Sequence, residues 1–166
     1  MRALLLAFAF AGVMPAFCAP ASEGAPVTEQ SVQKVADAIE TAARANDNEK
    51  ANSYLAADCV FHATYPAPAG GTQQQTMTRA QYLDDQAKAK AEGRNEVYKS
   101  SAPVVTIRDG KATARLQATD SQIDHGKSVT TVSDQVETFE ERDGRLMVVA
   151  VDVTVVSVTV DGNRLF

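Results

Sequence analysis

Asp134 is the carboxylate in this sequence best placed to do chemistry. It lies in Val132-Ser133-Asp134-Gln135-Val136, on the same side of a strand as Val132 and Val136, because side chains alternate along a β pleat. A carboxyl on an apolar wall has its charged form disfavoured and its pKa raised. It then acts as a general base near neutrality or as a neutral hydrogen-bond donor. The structural alternative is a buried Asp satisfied by a tyrosine, a backbone amide or an arginine. His62 is the second candidate acid or base, since imidazole titrates near physiological pH. Tyr54 and Tyr65 can add phenolic hydrogen bonds.

The remaining polar candidates read as structural. Asp120 is expected in a rim ion pair with Lys99, Asp152 on an outer sheet face, and His125 in a solvated hairpin loop. Cys59 reads as a small buried hydrophobe. Two separated histidines without paired cysteines make no metal site. No glycine-rich phosphate loop or nucleophile elbow occurs, so no cofactor is expected.

These side chains must be positioned by a hairpin. Val129 to Val160 holds two runs rich in β-branched residues, joined by Asp143-Gly144, and such a pair favours a tight type I′ turn. Two more turn signals, Asp109-Gly110 and Asp124-His125-Gly126, divide the C-terminal half into strands near 96–108, 111–123, 128–142 and 145–160. Hairpin-linked strands in series make an antiparallel meander.

Ahead of the meander, apolar residues at helical spacing predict a helix over 31–45, capped by Thr28 or Ser31. A short helix follows over 48–55, then a strand over 57–63 ending at Tyr65-Pro66. Pro66 to Gln75 reads as loop. Thr78 and Gln81 form a capping box for a third helix reaching Glu92, with Leu83, Ala87 and Ala91 as its inner stripe. Three helices followed by a meander give an α+β class, the helices packed on one sheet face.

Register selects that face. Two-residue turns at Asp109-Gly110 and Asp143-Gly144, with a three-residue loop at Asp124-His125-Gly126, place Val105, Ile107, Ala112, Ala114, Leu116, Ala118, Val132, Asp134, Val136, Val149, Val151, Val153 and Val155 inside. Phe139, Val148 and Ala150 then form an apolar patch outside. A contiguous exposed patch marks an interaction site, so a homodimer through that face is expected.

The chain has 166 residues and a net charge of −5. Residues 1–21 read as a secretory signal peptide: Arg2, an apolar run from Ala3 to Met14, and an A-x-A site at Ala19-Pro20-Ala21. The run falls short of the roughly 20 residues that span a bilayer. The protein is thus expected to be exported, periplasmic or secreted, with Ser22 as its mature N-terminus, which intact-mass measurement decides. Lipidation at Cys18 is the minor alternative, disfavoured by Phe17. Residues 22–30 read as a mobile tether and 31–166 as one domain. Removing Arg2 leaves 15 basic and 21 acidic side chains, an acidic balance that argues against nucleic acid or an anionic membrane as partner.

The order helix, short helix, Leu55-Ala-Ala-Asp58-Cys-Val-Phe61, Pro66, helix and meander with Arg142-Asp143-Gly144-Arg145-Leu146 resembles the nuclear transport factor 2-like superfamily. Its SnoaL-like and ketosteroid-isomerase-like branches are the most similar. The resemblance implies a cone-shaped cystatin-like roll around an apolar cavity, commonly dimeric. It also implies a second pocket acid near Asp134, whereas Ala63 stands where a ketosteroid isomerase carries its general base. The expected function is binding of an apolar or aromatic small molecule, lined by Tyr54, Phe61, Tyr65, Leu116, Val136, Val151 and Val153. The alternatives are a cofactor-independent isomerase, dehydratase or cyclase using Asp134 and His62, and a dimeric interaction module without ligand.

Overall fold

The computed structural model describes residues 27–67, 70–94 and 96–166. The signal peptide and most of the tether expected before Val27 lie outside the described residues. The first helix, α1 (Glu29–Arg44), begins two residues inside the span read as tether. Thr28 is its N-cap: its hydroxyl accepts from the Ser31 backbone N–H, while Ser31 answers back to the Thr28 N–H. Such reciprocal bonds satisfy two of the donors that a helix start leaves free. After α2 (Asn48–Asn52) comes β1 (Leu55–Pro66).

The expected loop over 66–75 is corrected in part. Residues Thr72–Thr78 form a strand, β2, antiparallel to β1 with Tyr65 opposite Gln73 and His62 opposite Thr76. A Gln-Gln-Gln run has little strand propensity of its own; pairing with a partner edge decides it. Next comes α3 (Arg79–Ala91), capped by the Thr78–Gln81 box. Its inner stripe is not Leu83, Ala87 and Ala91, because Ala87 and Ala91 are exposed. Tyr82 and Gln86 turn inward instead, and Tyr82 stacks on Phe61 with ring centroids 4.2 Å apart.

The four predicted meander strands appear as β3 (Val97–Ser100), β4 (Val104–Arg108), β5 (Lys111–Asp124), β6 (Lys127–Arg142) and β7 (Arg145–Val160), with a short β8 (Asn163–Arg164). The sheet order is β2-β1-β7-β6-β5-β3, with β4 also on β5. β1 joins β7 in parallel and every other pair is antiparallel. The class is α+β, as expected. α1 packs across the β3–β5 end, where Ala112, Ala114 and Ala118 are small enough to admit Val32, Ala36 and Ile39 into one buried core.

Two features of register differ from expectation, and together they turn one strand over. The middle hairpin has a two-residue turn: His125 and Gly126 take φ of 49° and 79°, and Asp124 pairs with Lys127. In addition, β7 bulges. Thr138 faces Ala150 but Phe139 faces Val148, and Ser133 faces Val155 but Val132 faces Ser157, so Val149 and Val156 are extra residues. An extra residue shifts the pairing by one, and one residue exchanges the faces of a strand. The turn and the Val149 bulge cancel for β5, whose Ala112, Ala114, Leu116 and Ala118 remain inside. For β6 they do not cancel. Phe139, Glu137, Gln135, Ser133 and Thr131 point inward, while Val132, Asp134 and Val136 point outward.

Two residues of the apolar patch expected outside are therefore in the core, Phe139 at 2% and Val148 at 0% exposed, and Ala150 alone stays on the outer face. Another one-residue slip separates β3 from β4. Ile107 faces Ala112 as expected, but across Ser101-Ala102-Pro103 the pairing shifts, so Tyr98, not Lys99, faces Asp120. No helix among the described residues is long and apolar enough to cross a membrane.

Candidate functional site: an acidic cavity under the first helix

Between α1, α2 and α3 and the inner sheet face lies a cavity of about 320 Å³, at the small end of ligand pockets. One wall is apolar: Ile39, Leu55, Phe61, Val151, Val153 and Val155. The rest of the lining includes Glu40, Glu96, Asp120 and Glu137, with the tyrosines Tyr82 and Tyr98, and Glu137 stands directly across from Val151 on the neighbouring strand. Three of the acids trace to the elements that carry them. Asp120 continues the period-two inner face of β5 beyond Ala118. Glu137 comes inward with Phe139 through the β7 bulge. Glu40 lies one residue after Ile39 on α1.

Glu40 is 3% exposed and well partnered. Tyr98 donates its hydroxyl to both carboxylate oxygens at 3.0 and 3.1 Å, and Ser100 donates to Oε2. Arg44 Nη2 stands 4.0 Å from Oε2, and it donates to the Ser100 carbonyl and hydroxyl at 3.1 and 2.7 Å. Glu137 is the opposite case. It is 6% exposed, and its buried Oε2 has no hydrogen-bond partner among the described residues. Burial, then the nearby Glu40 charge, push its carboxyl up to about 8. Asp120 is pushed up to about 7 by burial, by the Glu96 charge and by a hydrogen bond with Glu96, with Glu40 adding to the repulsion.

Tyr98 is raised above the usual phenol range by burial and by Glu40, and Tyr82 is raised to about 12 chiefly by burial. Both are therefore neutral donors at physiological pH. At the α2–α3 side, Asn52 Nδ2 donates to Gln86 Oε1 at 2.7 Å, and Gln86 Nε2 donates to the Tyr82 hydroxyl at 2.8 Å. That chain fixes the ring stacked on Phe61.

No protein-family model matches the sequence, and no curated protein is similar to it in sequence. Solved structures are similar in fold. The hexachlorocyclohexane dehydrochlorinase LinA-type3 from Novosphingobium barchaimii LL02 has a TM-score of 0.59 at 10% identity, over 79% of this chain and 88% of that one. An NTF2-like protein from Cytophaga hutchinsonii ATCC 33406 gives 0.56 at 16% identity, over 78% and 99%. An NTF2-like protein with a cystatin-like fold from Novosphingobium aromaticivorans gives 0.50 at 17% identity, over 76% and 80%. The chain has the NTF2-like fold.

Within this NTF2-like roll the expected site residues divide. Phe61, Val151 and Val153 line the cavity. Leu116 is buried in the inner face and Tyr54 packs against the core, but neither lines it. Tyr65 lies at the far end of β1, opposite Gln73. Val136 faces outward. The two expected acid–base residues are also corrected. Asp134 is exposed on the outer face and accepts from Gln117 Nε2 at 3.0 Å. His62 is exposed, its Nδ1 3.2 Å from Thr76 Oγ1. Asp120, expected in an ion pair with Lys99, is instead a cavity acid.

Cys59 is 1% exposed, and burial pushes its thiol up to about 11, the opposite of what activates a cysteine. Asp134→Asn is accordingly expected to change unfolding free energy by less than ~0.5 kcal/mol, as exposed polar substitutions do, and to leave ligand binding unchanged; denaturant titration and calorimetry check both.

Proposed function

We propose that this protein is an exported small-molecule-binding domain whose ligand sits in the cavity between the helices and the inner sheet face. The observation that carries it is Glu137: a buried carboxyl oxygen without a partner among the described residues, on a cavity that is also lined by apolar side chains. An unpaired buried polar group costs free energy, and a ligand that satisfies it recovers that cost on binding. A thermal-shift screen of small aromatic and aliphatic compounds tests the reading. Hits are expected to lose their shift in Ala43→Phe, which places a ring in the cavity from the α1 side. Hits that shift this variant equally bind elsewhere and end the proposal.

A second reading, cofactor-independent acid–base chemistry of the isomerase or lyase kind, is favoured by Asp120. Its carboxyl is held near 7 beside Glu96, close to where a proton-transfer group works best. One similar fold belongs to a dehydrochlorinase. On this reading, turnover of any screen hit disappears in Asp120→Asn while binding persists; turnover that survives the change excludes Asp120 as the proton-transfer group. Association into a homodimer belongs to the same proposal, carried on the outer face by Val136, Ala150 and Val60 rather than by Phe139 and Val148.

A further inference from the structure

We propose that the ligand of this cavity is an organic cation, an aliphatic or aromatic amine whose ammonium group sits among Glu40, Asp120 and Glu137. The inference rests on the binding reading above and names its ligand class. Among the described residues, four carboxyl side chains line the cavity and no Lys, Arg or His does. Two guanidinium groups stand outside the lining: Arg44, half exposed and donating to Ser100, and Arg79, whose Nη2 is 3.5 Å from the carbonyl of the lining residue Asn52. An anionic ligand would add a like charge beside Glu40 with no cation in the lining to offset it. An ammonium group would give Glu137 Oε2 the donor that it lacks.

The rest of the cavity suits the other end of such a molecule. Phe61 and Tyr82 form a stacked aromatic pair beside Val151 and Val153, and aromatic faces attract cations as well as apolar bodies. A bare metal ion is a poorer fit, since no group of three His, Cys, Asp or Glu among the described residues is arranged to hold one.

The charged and titratable groups around Glu137 and Asp120 are Glu40 and Arg44 on α1, Cys59 on β1, Tyr82 on α3, Glu96 before β3, and Tyr98 on β3. The β7 wall contributes only valines. In the empty cavity the raised carboxyls hold protons at pH 6 and shed them toward pH 8 or 9. A bound ammonium takes the place of such a proton, so binding releases it and tightens as pH rises.

Calorimetry with 2-phenylethylamine, its neutral isostere 2-phenylethanol and phenylacetate, at pH 6 and pH 8, tests this. A primary alkylamine stays protonated over that range, as lysine does. The amine is expected to bind at least about tenfold more tightly than the alcohol at pH 8, with phenylacetate weakest. Its affinity should drop about tenfold toward pH 6, and its apparent enthalpy should differ between phosphate and Tris through proton release. Glu137→Gln should remove the preference for the amine while leaving the alcohol within about twofold; Asp120→Asn replaces it if that variant does not fold. Alcohol or phenylacetate binding as tightly as the amine overturns the cation inference and leaves the binding reading standing. Failure of all three to bind overturns both.

Discussion

Glu137→Gln is expected to stabilise the protein at pH 8 by about 2–4 kcal/mol, on the basis of ~1.4 kcal/mol per unit of pKa displacement. The folded carboxyl titrates near 8 against an ordinary 4.5. Between those values the folded state holds a proton that the unfolded state has released. Stability therefore falls as pH rises through that window and levels off above it. Asp120, moved from 3.8 to about 7, adds a slope of the same sign. The parent should thus be more stable at pH 5 than at pH 8. The Gln variant should lose much of the slope and converge on the parent near pH 4. Urea titrations across pH 4–9 measure it. A variant no more stable than the parent at pH 8 would mean that Glu137 is not held in a penalising environment, and the cavity argument would lose its main support.

Phe139→Ala is expected to be the most damaging single truncation in the sheet, costing roughly 3–5 kcal/mol, as buried phenylalanines do. Phe139 is 2% exposed and is among the largest fully buried side chains, in the cluster with Val32, Ala36, Ala112 and Val148. Val136→Ala, three residues earlier but on the outward face, should cost less than ~1 kcal/mol. The pair tests the β6 register directly. Comparable losses would mean that the strand faces the other way, and Asp134 would return to the inside.

Most elements and their order were legible because each has a local cause; β2 was not, since its Gln-rich run becomes a strand only by pairing with β1. The Thr78–Gln81 capping box, the X-Gly turns and the period-two runs act over a few residues, and they appear where the residues place them. The inward face of β5 and the apolar wall of β7 were legible for the same reason. What was hidden was non-local. The bulges at Val149 and Val156 arise inside an apolar run in which shifting by one residue exchanges valine for valine, so hydrophobic patterning does not locate them.

One signal pointed the right way. Placing Val132 and Val136 inside left Phe139, the largest side chain of the strand, outside, whereas burying it brings Glu137 inward. Asp120 also followed the β5 alternation. The pairing with Lys99 displaced it only because Ser101-Ala102-Pro103 was read as continuous strand.

The parallel contact between β1 and β7 has a kinetic consequence. Phe61 meets Val151 across about 90 residues of chain, while β5, β6 and β7 meet through turns of two residues. Loop closure costs grow with the length closed, so the hairpins can assemble well before β1 arrives. Substitutions in the His125-Gly126 or Asp143-Gly144 turns are then expected to slow refolding, and those in β1 to speed unfolding. Chevron measurements on such pairs distinguish the two, and equal effects on both limbs would contradict that order. The cavity wall contributed by Phe61 would be the last part of the site to form and the first to open.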